Sequence, residues 1–148
     1  MDNTPDMAKD RTLLDRIASR QLASAVEKRA KPITPSTSRI LFRQGDEPDV
    51  VYYLKAGEAT LTMHAAEKTI LSALVPAGSL LGLPAIMGNK PYSMTATAVR
   101  QAEVYRISRD DFKQMIVQAE LCFDVVRILA GEVHSARVAL GDCLNRQA

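Results

Sequence analysis

The chain is predicted to be mainly β with flanking helices, a jelly-roll-like β-roll (a double-stranded β-helix), and three observations predict this. Short alternating segments separated by glycine turns run from about residue 39 to residue 107. Within them, Gly78, Gly82 and Pro84 break an apolar run too rich in turn residues for one strand, and Asn89 and Pro91 restart an alternating segment. Beyond residue 119 the apolar period changes to that of a long helix. At 148 residues, with 47% hydrophobic and 24% charged residues, the chain suits one globular domain with a sizeable core.

Taken in order, residues 1–32 hold a polar, acidic start and then an amphipathic helix from about Asp10 to Ala30. Its apolar face is Leu13, Leu14, Ile17, Ala18, Leu22, Ala25 and Val26, and Pro32 and Pro35 end it. Residues 33–107 form the roll. Ile40–Phe42 stops at Gly45, Val50–Leu54 stops at Gly57, and Glu58–His64 alternates with Ala59, Leu61 and Met63 on one face. Thr69–Val75, Met94–Val99 and Ala102–Ile107 complete a set of about seven or eight short strands, with a strand end, a helical turn and a strand start between Gly78 and Ala96. Residues 108–148 open on a capped helix: Ser108 is placed to cap, Asp111 to complete a capping box, and Ile107 to staple against Phe112. A longer helix follows from Glu120, and all of these segments are read as one domain.

The stretch at 81–96 carries the chemistry. Leu81, Gly82, Ala85, Ile86, Met87, Pro91 and Ser93 fall into register with the phosphate-binding cassette of cyclic-nucleotide-binding domains, and the chain resembles the sensor domains of Crp/Fnr (catabolite activator protein-like) regulators from about Ile33 onward. The resemblance implies a β-roll with a long C-terminal dimerisation helix and a small-molecule effector bound at the cassette. The ligand-binding positions it implies are Gly82, Leu83, Pro84, Ala85, Tyr92 and Ser93. Two of them depart from the cassette. Leu83 stands where the family has a glutamate for the ribose hydroxyl, and Tyr92 where it has an arginine for the cyclic phosphate. An arginine makes a bidentate, charge-assisted contact with a phosphate, whereas a phenol offers one hydroxyl. Neither cAMP nor cGMP is therefore the expected ligand. Some relatives sense through haem or an iron-sulfur cluster, but the cysteines a cluster needs are missing near the start, and haem would rest on the lone His64. A pocket filled by its own side chains, such as Tyr92 and Met94, is the alternative.

In the last segment Cys122, Val126, Leu129, Val133, Ala136, Leu140 and Cys143 form a heptad seam, with Leu121, Val125 and Ile128 in a second stripe beside it. The expectation is that one stripe packs on the roll and the seam pairs with a second copy, as the resemblance also implies. The alternative is one broad buried face in a monomer. Cys122 and Cys143 lie three heptads apart on the seam and would face their twins in a parallel dimer, as packed thiols or as a redox pair.

Other functions are set aside on residue types. The net charge of +2 falls short of a nucleic-acid surface, and after Cys143 no room is expected for the winged helix-turn-helix that such regulators carry, so this chain is not expected to contact DNA. With only His64 and His134, a metal-binding roll lacks its ligands, and no hydrolase or nucleotide P-loop motif occurs, so an enzyme is not expected. The opening residues lack a secretory core and no apolar run spans a bilayer, which predicts a cytoplasmic chain with no membrane partner. The functional expectation is an effector-sensing module of a transcriptional-regulator lineage. The alternatives are a ligand-free dimerisation or protein-interaction module, and an N-terminal fragment of a DNA-binding regulator.

Overall fold

The computed structural model describes residues 11–12, 16–118 and 120–132. The strands are β1 (Arg11–Thr12), β2 (Lys31–Ile33), β3 (Arg39–Phe42), β4 (Val50–Ala56), β5 (Ala59–Ala65), β6 (Lys68–Val75), β7 (Ser79–Leu81), β8 (Thr95–Ala98) and β9 (Glu103–Ser108). Helices α1 (Arg20–Arg29), α2 (Leu83–Gly88) and α3 (Arg109–Met115) are joined by α4, residues 120–132. A five-stranded sheet in the order β1-β6-β5-β8-β3 faces a four-stranded sheet in the order β2-β9-β4-β7. The predicted mainly β roll with flanking helices is what the chain forms.

Strand β4 shows why the molecule has two cores. Its apolar run is buried on both faces, and the period of two sends alternate residues to opposite sides. Tyr52 and Leu54 enter the core between the sheets with Phe42, Leu61, Val75, Leu81 and Val104. Val51 and Tyr53 enter a second core beneath the helices with Leu22, Val26, Leu80, Ile107, Phe112 and Ile128. Each large aliphatic side chain removed from water contributes about 1.5–3 kcal/mol, so the four-stranded sheet is held from both faces.

The alternating strands and their turns form where expected. Gly45, Gly57 and Gly78 all adopt positive φ, and a Cβ at Gly57 would come within 2.9 Å of the Ala102 backbone, so that turn requires glycine. The helix after the roll starts as its capping residues predict, with the Asp111 N–H donating to Ser108 Oγ at 3.2 Å. Ile107 and Phe112 are both buried in the second core.

The N-terminal segment corrects the expectation of one helix from about residue 10 to residue 30. α1 begins only at Arg20, behind Ser19, whose hydroxyl accepts from the Leu22 N–H at 3.1 Å. Residues 16–18 instead run extended along the edge of β7: Leu80 N–H donates to Arg16 O and Ala18 N–H to Gly78 O, at 2.9 and 2.8 Å. The exposed edge of β7 offered backbone partners that helical periodicity does not register. Leu13 and Leu14 lie outside the described residues. Pro32 likewise sits in β2 rather than in a plain connector. That strand is at the end of its sheet, where the missing N–H of proline costs no ladder bond.

Candidate functional site

The cassette folds as its turn residues suggest: β7, a six-residue helix α2, and then β8. Gly82 enters α2 at φ +92° and Asn89 leaves it at φ +52°, both left-handed. Pro84 occupies the first turn of α2 and brings no N–H, so this turn has one fewer backbone donor to offer an anion.

Tyr92 dominates the space beneath α2. Its ring lies 3.9 Å from the Phe42 ring, centroid to centroid, tilted by only 12°. Its hydroxyl accepts from the Val50 N–H at 3.0 Å and donates to the Val50 carbonyl at 2.6 Å. Its own backbone is equally fixed, since Gly45 N–H donates to Tyr92 O and Tyr92 N–H donates to Asp46 O. The residue is 4% exposed. Burial raises the phenol pKa, and the hydrogen bonds with the backbone at Val50 and Asp49 offset only part of that rise. A folded value above 10.0 means that the contribution to stability is complete below pH 10.0 and is lost as the pH rises through the folded value.

What remains between α2 and Tyr92 is a cavity of about 30 Å³. Gly82, Pro84, Ala85, Tyr92 and Ser93 line it, together with Arg16, Phe42, Leu61 and Met94. Leu83 does not. It is fully buried in the second core, in one cluster with Leu22, Val26 and Ile86. At the start of α2 its side chain faces the helical layer, and an apolar residue there is held by the hydrophobic effect. The reach of Gly82 is also measured by Tyr92: a Cβ on that glycine would sit 3.0 Å from the ring and 3.2 Å from Val50 O. His64 is exposed, with its ring 3.1 Å from the Thr69 hydroxyl, and does not line the cavity.

Arg16 is the residue that sequence periodicity missed. It is 9% exposed, and its Nε lies 3.2 Å from Glu132 Oε1, near the end of the described part of α4. The same short segment meets α4 twice more. Ser19 N–H donates to Asp124 Oδ2 at 2.8 Å, and Arg127 Nη2 donates to Ile17 O at 2.7 Å while Arg127 Nε pairs with Asp124 at 2.8 Å. Burial of Asp124 opposes its ionisation, but the hydrogen bonds from Ser19 and Arg127 outweigh that and hold its pKa below the ordinary carboxyl value. Its stabilising contribution is therefore full above that ordinary value and is lost as the pH falls through the depressed one. Residues 16–19 thus form a strap from the cassette side of the roll to α4.

On α4 the second stripe, Leu121, Val125 and Ile128, is buried against the roll as expected. Of the seam, Cys122 is exposed, Val126 is 57% exposed and Leu129 is partly buried in the second core. Phe123, 75% exposed, adjoins them. Val133, Ala136, Leu140 and Cys143 lie outside the described residues.

The molecule is thus a two-sheet β-roll with a glycine-entered helical turn over its core and a helix strapped across its back. Residues 36–119 match the cyclic nucleotide-binding domain, and the chain belongs to that family. It is 29% identical over 80 residues to a cAMP-dependent protein kinase regulatory subunit of Emericella nidulans, aligning 54% of this chain with 19% of that protein. Its fold is similar to that of the catabolite activator protein of Thermus thermophilus, at 22% identity and a TM-score of 0.71, covering 86% of this chain and 60% of that one. It is also similar to the sensor domain of the transcriptional regulator DNR of Pseudomonas aeruginosa, at 17% identity and a TM-score of 0.62, over 80% of this chain and 81% of that one. Among the described residues no helix is long and apolar enough to cross a membrane.

Tyr92→Phe keeps the stacked ring and removes the hydroxyl, leaving the Val50 N–H and carbonyl without that partner. The expected loss is about 1–3 kcal/mol in chemical denaturation. An unchanged midpoint would show that Val50 does not depend on Tyr92.

Proposed function

We propose that this domain is the effector-sensing module of a Crp/Fnr-type regulator lineage, with a degenerate cassette that does not take cAMP or cGMP. The observation that carries this reading is Tyr92, which stands where the resembling cassette has its arginine. Its hydroxyl is used in both directions by Val50, its ring is stacked on Phe42, and about 30 Å³ remains between it and α2. Ligand pockets for molecules of nucleotide size run to roughly 300–1,000 Å³. To admit a cyclic nucleotide, Tyr92 would have to leave its stack and expose the Val50 backbone, and the incoming phosphate would find no arginine at that position. Leu83, turned into the second core, offers nothing to a ribose hydroxyl.

Signal output is assigned to α4. The strap of residues 16–19 joins the cassette side to Asp124, Arg127 and Glu132. The outward stripe of Cys122, Val126 and the neighbouring Phe123 is the surface that would pair with a second copy, continued by the predicted seam at Val133, Ala136, Leu140 and Cys143. An effector that favours one setting of the strap would shift the population of α4 geometries and so the dimer. The module is read as non-enzymatic.

A filled pocket also favours a second reading, a ligand-free dimerisation or protein-interaction module working through the same stripe. The two readings share the closed cassette and differ in whether anything enters what is left of it.

Titration calorimetry of the purified protein with cAMP and with cGMP is expected to give no saturable heat up to about 1 mM, the weak end of the affinity scale. A micromolar Kd for either nucleotide would overturn the reading. For the seam, sedimentation velocity is expected to show a dimer that Val126→Asp converts to a monomer while leaving the circular dichroism spectrum unchanged. A wild-type monomer across the micromolar range would remove the dimerisation assignment.

A further inference from the structure

Between α1 and the corner where α3 hands over to α4 lies an open groove of about 600 Å³, within the roughly 300–1,000 Å³ of pockets that hold ligands. Its wall on α1 is the face turned away from buried Leu22 and Val26. Three cations stand there, Arg20, Lys28 and Arg29, all exposed and none ion-paired with another described residue. The one carboxylate of α1, Glu27, is engaged elsewhere, 2.7 Å from Lys55. Helix chemistry accounts for two of these charges and not for the third. Lys28 and Arg29 occupy the last turn, where a cation complements the helix dipole. Arg20 opens the first turn, where the dipole opposes a cation and no acidic residue offsets it. The helix gains nothing from that charge, which is left free for a partner.

Spacing and the other lining groups define the partner. Arg20 and Lys28 are eight residues apart, about 12 Å along the helix axis, which is the span of about four residues of extended chain. That separation suits an elongated polyanion. Gln21, Gln118 and Glu120 add hydrogen-bond acceptors to the groove, which the N–H groups of a peptide can use and a fully ionised phosphate chain, lacking donors, cannot. The Glu120 carboxylate also repels a phosphate chain. Ala25, Met115 and Leu121 supply an apolar part of the lining. We propose that this groove docks an extended acidic segment of a partner protein, with carboxylates about four residues apart on either side of an apolar residue. Arg20 and Lys28 hold the carboxylates, and the acceptors of Gln21, Gln118 and Glu120 take backbone N–H groups of the segment.

The test uses the full chain and a short fluorescein-labelled peptide of glutamates flanking a single leucine, with its glutamine counterpart as control. Fluorescence anisotropy is expected to show saturable binding with a Kd on the order of 10 µM at low salt, weakening as added salt screens the charges. Arg20→Gln and Lys28→Gln should each weaken it about tenfold, the loss of one charge-assisted contact, while the thermal melting curve stays in place because both side chains are exposed. Tripolyphosphate should displace the peptide only at concentrations well above the peptide's own Kd. Absence of saturable binding, equal binding of the glutamine peptide, or an affinity untouched by both substitutions would overturn the proposal. Displacement by tripolyphosphate at or below the peptide's Kd would overturn it as well, showing a site for phosphate chains instead of peptide.

Discussion

The strap of residues 16–19 is the constraint on which the arrangement of this domain depends. Its backbone closes the edge of β7 through Leu80 and Gly78, and its polar contacts with Asp124, Arg127 and Glu132 fix α4. Between these two sets of bonds lies the second core, where Leu80, Ile86, Leu121, Val125 and Ile128 pack. The apolar contacts supply most of the free energy, but they are not directional and would tolerate α4 sliding along its own stripe. The strap fixes where it stops. Arg16 and Glu132 are both nearly buried, and breaking such a pair by removing one partner costs about 3–5 kcal/mol.

At the cassette, a charged recognition site and a packed aromatic pair are alternative solutions to one problem, the backbone gap beside Gly82. Tyr92 fills it with ring against ring and with a hydroxyl satisfied by a single residue's backbone. Tight closure follows from Gly82 itself, because the ring approaches where a Cβ would otherwise be. The helical turn α2 is retained as a structural element, its Leu83 anchoring it in the core below and its Ala85 facing the cavity above.

Much of this was legible in the chain. Alternation and the positive-φ glycines located the strands of the roll, and Gly82 with Pro84 located the helical turn. The spacing of Leu121, Val125 and Ile128 identified the buried face of α4. What sequence pattern could not show was set by tertiary contacts. Ile17 and Ala18 continue the apolar period of α1, yet residues 16–18 pair with β7 because that edge was free. β2 and β7, three residues each, are too short for alternation to register. The turn at Ala66 and Glu67 is tight, with both residues at positive φ and neither a glycine, so the hairpin closes without its usual composition signal. Leu83 could be aligned with a ligand contact, but only its packing shows that it faces the other core. Arg16 reaches the cassette from a segment far away in sequence, and no local motif announces it.

The central claim is that the strap ties the cassette side of the roll to α4. It is tested most directly by amide hydrogen exchange at neutral pH in the wild type and in Asp124→Ala, which removes the acceptor of Ser19 N–H and the partner of Arg127. The account predicts that exchange accelerates in α4 and, by about tenfold or more, at the Leu80 and Ala18 amides that hold the strap to β7, tenfold corresponding to about 1.4 kcal/mol. Faster exchange in α4 with the Leu80 and Ala18 amides unchanged would contradict it, showing that helix and cassette are anchored independently.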